Sequence, residues 1–464
     1  MGRKGILKGL RLPAQASVWY IGASVMSKAI AIAATPFFTR LQSEEEYGAF
    51  TLYISVVGAM SVIVSAFTAG SSIYKGLDDF SCEKGSYLKS VLTVSFGFSA
   101  LLCTLLFAFS RFLGINRDVV ILIFLQIIFD SAVAVYLTDA RFRYAYKQVV
   151  MLGIFESLLS PIIAIAWLRA VGGGYKIRAY ALLLVSFVAA AYALYRLLQN
   201  GGKVKYGMIK YSLRTSLVLL PHSFAGALSA QADKLIFSAA LGNAALARYS
   251  VAHSIGAGLS FVVAGVGAAL GPWIIRRLKA GEIDRIYEIS ELIFKALAAS
   301  TVALVALAPE AMLILAPREY SEATVAILPI ALSVLFSLIT LISSVALVQA
   351  DKSKYTSYAS VSALGSGILM NFLLIPPLRY FGAALALLIS QAIGAVLSLY
   401  FMRKYCALLL PIKRFLYYFI LTALLCAIAV GIYDSLALRV LLLTVPAIIM
   451  LGSFFSTLEL VKEK

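Results

Sequence analysis

Hydrophobic residues in this chain do not alternate with polar ones. They run in continuous stretches of about 20 or more, broken by short charged or Gly/Pro-containing segments. The stretches fall near residues 14–38, 49–74, 88–110, 118–138, 149–168, 178–198, 214–240, 247–275, 289–315, 323–349, 356–376, 381–402, 415–433 and 440–458. An apolar run of this length predicts a membrane-spanning helix, the form that bonds its own backbone groups within the segment. A β-barrel would need short segments of alternating polarity, which are absent. The longest polar interruption runs from Arg196 to Arg214 and holds Gly201, Gly202, Lys203, Lys205 and Lys210. It predicts a linker between two six-span lobes, residues 1–200 and 201–404, with two additional spans and a short tail in 405–464. The expected fold is therefore all-α and integral to the membrane, with about 14 transmembrane helices.

Composition strengthens this picture. Of the 464 residues, 61% are hydrophobic and 13% charged, and the mean hydropathy is +0.93. A soluble enzyme, a disordered chain and a single-pass receptor are all excluded. The net charge of +18 would suit nucleic acid only if the basic residues shared a soluble face, and they sit instead in the short breaks. With the N-terminus placed in the cytoplasm, about 28 Lys and Arg residues fall at cytoplasmic ends and about 10 at outer ends. This bias predicts that both termini are cytoplasmic. The basic stretch Met1 to Arg11 precedes a run too long for a signal-peptide core, so the first span is read as retained. The four cysteines, Cys82, Cys103, Cys406 and Cys426, form no CxxC or metal-ligand spacing.

Catalytic signatures are missing. The chain has no GxxxxGK[ST], and its two histidines, His222 and His253, cannot supply HExxH. The glycines from Gly265 to Gly271 suit helix packing rather than dinucleotide binding. No metal, cofactor or enzymatic activity is expected. What remains are polar residues inside spans, which are costly in lipid and face a bundle interior or cavity. Ser17, Ser24, Lys28 and Thr35 share one face of the first span. Asp130 follows Gln126 by four, Glu156 precedes Ser160 by four, and Ser333, Ser337, Thr340 and Ser344 form another stripe. His222, Gly226, Ser229 and Asp233, spaced 4, 3 and 4, line one side of the seventh span and point to a cavity face. His222 and Asp233 are candidate ion-coupling groups there, as are Asp130 and Glu156. The plainer alternatives are interhelical hydrogen bonds for the hydroxyl stripes, structural ion pairs for Lys28, Asp130 and Glu156, and a pair between Asp233 and Arg248. Lys234 is the poorer partner for Asp233, because adjacent helical residues do not face each other. Pro36, Pro161, Pro221, Pro272, Pro329 and Pro446 each predict a bend. Ser43 and Glu46 have the spacing of a capping box at the start of the second span.

Several segments together resemble a known family. They are Thr39-Arg40-Leu41-Gln42-Ser43-Glu44-Glu45-Glu46-Tyr47-Gly48; Leu220-Pro221 with Asp233-Lys234 and Ala247-Arg248-Tyr249; and Asn371-Phe372-Leu373-Leu374-Ile375-Pro376 followed by Gly382-Ala383-Ala384. On these residues the chain resembles the Wzx-type flippases of the multidrug/oligosaccharidyl-lipid/polysaccharide (MATE-like) exporter superfamily. It departs from their pattern where Pro377 to Phe381 lengthens a turn and where Arg248 stands in place of Gly. The resemblance implies two lobes around a cavity open to alternate sides. It also implies transfer of an undecaprenyl-diphosphate-linked oligosaccharide, such as an O-antigen or other surface polysaccharide unit, from the inner to the outer leaflet. Lys28 and Lys234 are the expected phosphate contacts, with Ser24, Gly226 and Ser229 beside them. H⁺ or Na⁺ would supply the energy, and membrane lipids and other polysaccharide assembly proteins would be partners. A lipid II flippase, which also carries two extra spans, and a cation-coupled multidrug antiporter are the alternatives.

Overall fold

The computed structural model describes residues 3–68, 71–109, 116–406 and 410–444. Among them nine helices are long and apolar enough to cross a membrane, and the chain is a multi-pass membrane protein. It divides into two compact units, the first ending at Leu235 and the second beginning at Ile236.

The first unit contains α1 (Arg3–Leu41), α2 (Glu44–Thr68), α3 (Ser71–Asp79), α4 (Lys84–Phe109), α5 (Arg117–Phe142), α6 (Tyr146–Val171), α7 (Tyr175–Gln199) and the start of α8 (Tyr206–Gly256). Its α1 packs on α6, and α5 packs on α2, α4 and α7. Small residues make the close α7 face, where Ala179, Ala189, Ala190 and Ala193 are buried. Within the apolar run at 49–74 the described helices are α2, as far as Thr68, and α3, from Ser71. In α3, Ile73 and Leu77 are buried four residues apart while Lys75 and Asp78 are exposed, the pattern of an interfacial helix. Tyr211 of α8 donates to Asp79 Oδ2 at 2.6 Å and holds the end of α3. Burial, with that hydrogen bond, pushes the Tyr211 phenol up to about 12.

The second unit contains the rest of α8, α9 (Ser260–Ala280), α10 (Ile283–Ala306), α11 (Ala308–Leu315), α12 (Ile327–Gln349), α13 (Ser353–Tyr405), α14 (Ile412–Gly431) and α15 (Leu436–Leu442). Its most buried element is α12, which packs on α13 and α9. Two helices are continuous only in name. Gly242 (φ 83°) interrupts α8 and Arg379 (φ 47°) interrupts α13, so each is two spans joined by a tight turn. After Arg379 the chain doubles back so closely that a Cβ on Gly382 would lie 2.0 Å from the Leu374 carbonyl oxygen, and only glycine fits. The helix α14 lies on α10. Most of the fourteenth expected span, with Pro446, lies outside the described residues. Pro329 does not interrupt a helix as expected. It stands in the first turn of α12, where its missing N–H removes no intrahelical bond.

Candidate functional site

The polar positions predicted inside spans converge in the first unit. Gln126 and Asp130 lie one turn apart on α5. The Gln126 amide nitrogen donates to Asp130 Oδ1 at 2.7 Å and to Ser186 Oγ on α7 at 2.8 Å. Both of its N–H groups are therefore used, while its carbonyl oxygen is buried without a partner. Glu156, half-buried on α6, lies near enough to Asp130 for the two carboxylates to interact electrostatically, as does the Tyr53 phenol of α2. Among the described residues no cation pairs with either carboxylate. Two acids thus share a low-dielectric region with one amide and one hydroxyl. Such a pair favours an arriving proton or small cation, because like charges in apolar surroundings resist joint ionisation. The structural ion-pair alternative for Asp130 and Glu156 does not hold among these residues.

Helix α6 carries Pro161 just beyond this cluster. Its ring removes the donor for the Ser157 carbonyl. The Ser157 hydroxyl lies 3.1 Å from Ser27 Oγ of α1. That contact puts Lys28 and Glu156 one residue to either side of the same α1–α6 crossing. Lys28 and Ser24 are exposed, and Thr35 turns its hydroxyl back to the Ala31 carbonyl at 3.0 Å, the local bonding that polar residues in apolar helices adopt.

The α8 face is partly described. The side chain of His222 and the surroundings of Gly226 lie outside the described residues. Ser229 is half-buried and Asp233 is buried. Arg248 pairs with Glu322 at 2.7 Å, whereas Lys234 Nζ reaches to 3.5 Å from Asp233 Oδ1 and 3.2 Å from the Ala230 carbonyl. A four-carbon stem is long enough to curl back along its own helix, which overrides the poor facing of adjacent positions.

One residue was counted only as an outer-end charge. The Arg178 guanidinium is held between the rings of Phe38 and Phe50, at 3.8 and 3.9 Å, with Tyr47 at 5.2 Å. Its Nη1 is buried without a hydrogen-bond partner. Phe38 and Phe50 flank the Thr39–Gly48 segment and Tyr47 lies within it, so this segment packs the α1–α2 hairpin against α7 through cation–π contacts. Within it the Glu46 N–H donates to Ser43 Oγ at 3.3 Å, one half of the expected capping box. The signal in the sequence was the aromatic spacing around the motif. All four cysteines are free, and no group of three metal-binding side chains exists among the described residues.

Residues 14–278, more than half of the chain, match the family described as polysaccharide biosynthesis protein. No curated protein matches. Among solved structures, the lipid II flippase MurJ in an inward closed conformation is similar with a TM-score of 0.74 at 13% identity, covering 95% of this chain and 99% of that one. An inward-facing multidrug resistance MATE family transporter of the MOP superfamily is similar with a TM-score of 0.65 at 14% identity, covering 82% of this chain and 94% of that one. A mutant form of the Vibrio cholerae MATE transporter VcmN gives a TM-score of 0.56 at 18% identity, covering 85% and 97%.

Proposed function

Because the chain belongs to the polysaccharide biosynthesis protein family, we propose that it is a flippase, not an enzyme. It carries an undecaprenyl-diphosphate-linked oligosaccharide from the inner to the outer leaflet of a bacterial cytoplasmic membrane by alternating access. The observation that carries this reading is the extent of the likeness. The lipid II flippase covers 95% of this chain, whereas the MATE transporters cover 82% and 85%. The additional stretch favours a lipid-linked cargo over a drug antiporter. A diphosphate–sugar headgroup needs a polar, cationic route through the apolar layer. Lys28 with Ser24 on α1, and Lys234 with Gly226 and Ser229 on α8, would provide it, since lysine meets phosphate as a point charge. Asp130 and Glu156 would take up H⁺ or Na⁺ and drive the cycle, and His222 and Asp233 are the further coupling candidates. The Lys/Arg asymmetry supports a cytoplasmic position for both termini.

The test is the leaflet distribution of the lipid-linked precursor in a deletion strain complemented with variants. Lys28→Ala leaves the precursor in the inner leaflet at normal protein level, and Lys28→Arg restores part of the export. Equal behaviour of the two variants removes the phosphate role of Lys28. Complementation of a lipid II flippase deletion instead would reassign the cargo, and drug resistance without precursor transfer would favour the antiporter. Reporter fusions at Lys404 read cytoplasmic and at Gly173 and Asp434 external. The reverse pattern inverts the topology.

A further inference from the structure

A cavity of about 420 Å³ opens where the start of α4, the end of α5 and the connector at residues 200–205 meet. Its walls carry three cations, Lys84, Arg143 and Lys205, and two acids, Glu83 and Asp139. Asp139 is buried and engaged by Arg143, whose Nε and Nη2 lie 3.0 and 2.7 Å from Oδ2. Glu83 meets Lys205 at 2.6 Å, but both side chains are about half exposed, 47% and 49%. Such a pair contributes little and reorients readily. Lys84 has no carboxylate partner among the described residues. Its ammonium lies 5.3 Å from the centre of the Phe142 ring.

The cavity is built by close backbone approach rather than by loose loops. A Cβ on Gly85 would lie 2.4 Å from the Asn200 carbonyl oxygen, and one on Gly202 (φ 78°) 2.6 Å from the Ser86 nitrogen. The Lys89 ammonium holds the Gly202 carbonyl at 3.1 Å, and the Lys205 N–H donates to Ser90 Oγ at 3.1 Å. The first turn of α4, the positive end of that helix, forms part of the same wall. The lining is thus net cationic, and it has hydroxyl groups and room for a diphosphate.

We propose that this cavity binds a phosphate group, carried by a membrane lipid headgroup or by a soluble phosphate compound. None of its lining residues belongs to the face proposed to meet the cargo. The bound anion would draw Lys84 and Lys205 together and brace the connector on α4. The proposal rests on the cytoplasmic orientation given above only for which pool of phosphate it meets.

Cys82, exposed on the cavity wall, provides the readout. In full-length protein with Cys103, Cys406 and Cys426 replaced by alanine, the rate of maleimide alkylation at Cys82 is measured at constant ionic strength. Pyrophosphate slows it about threefold at twice its Kd, by mass action. In nanodiscs, phosphatidylglycerol in a phosphatidylcholine background does the same if the lipid headgroup is the ligand. Slowing by one additive and not the other identifies the source, and slowing by both retains the shared chemistry. Lys84→Gln with Lys205→Gln abolishes the slowing, each variant being compared with its own rate without additive, because loss of nearby cations also changes the basal reactivity of the thiol. No slowing by either additive overturns the proposal, and so does slowing that persists in the double variant, which would be charge screening alone. Labelling of Cys82 from outside intact cells by an impermeant maleimide would reverse the orientation and leave the anion protection standing.

Discussion

Each unit places a carboxylate inside an apolar helix pair, and the two solve its cost differently. In the second unit Glu291 of α10 is buried, but Lys295, one turn on, lies at 2.9 Å, Arg414 of α14 at 2.8 Å, and the Tyr418 hydroxyl donates at 3.2 Å. Phe294 stacks on Phe415 beside them, with ring centroids 4.8 Å apart. That group is a fastener. Its charges are matched, and it fixes α14 to α10. In the first unit, among the described residues, Asp130 accepts from the Gln126 amide, which also donates to the Ser186 hydroxyl, and Glu156 adds a second carboxyl group instead of a counter-charge. The difference teaches how to separate structural from working acids in a membrane bundle. A matched acid has its partner built in, while an unmatched pair leaves room for a partner that comes and goes.

The comparison breaks first at its strongest fastener. Arg439, 3% exposed, holds Glu310 through both guanidinium arms, at 2.7 and 2.6 Å, and also donates to the Ala306 carbonyl at 2.7 Å. Arg439→Ala should cost about 2 kcal/mol, from the lost hydrogen bonds of a charged group, since the Glu310 left behind is 37% exposed and regains water. Thermal melting in detergent checks this, and a loss under about 0.5 kcal/mol would remove the fastener reading. Glu291→Gln should cost about 2 kcal/mol, the range for charged hydrogen bonds, and loosen α14 as judged by protease sensitivity near Lys413. Asp130→Asn keeps the shape and can still accept from Gln126. It should leave the melting temperature unchanged while lowering ion-driven export about tenfold, or about 1.4 kcal/mol. If it lowers the melting temperature instead and export per folded molecule is normal, Asp130 is a structural acid like Glu291. Smallest of all, Glu322→Gln should change stability by about 0.5 kcal/mol or less, since its pair with Arg248 is largely exposed on the Glu side, at 59%.

Chain pattern alone carried most of the helical layout, because the length and continuity of apolar runs are imposed by the bilayer itself. It says less where that constraint is weak. At the end of the second apolar run α3 carries a short amphipathic pattern, with Ile73 and Leu77 buried and Lys75 and Asp78 exposed, which a count of apolar residues does not register. For the site, spacing on a single helix identified Gln126 with Asp130. It could not reveal that Ser186, sixty residues on, completes the cluster, or that Glu156 belongs to it. Arg178 was read by its sign, whereas its role follows from the flat faces of Phe38 and Phe50. Lys234 was judged a poor neighbour for Asp233 from where helical positions point, yet its stem is long enough to bring Nζ to 3.5 Å from Asp233 Oδ1.

The glycine contacts at Gly85 and Gly202 bear on how this chain tolerates engineering. A glycine- and lysine-rich connector such as residues 200–205 invites the insertion of tags, reporters or cleavage sites, and Gly202 is the natural choice. With its backbone seated against Ser86 and clasped by Lys89, an insertion there would pry the connector off α4 before it reported anything. The exposed turn at Gly172, where an added Cβ meets nothing within 4 Å, is the place where extra sequence can loop out without disturbing its surroundings.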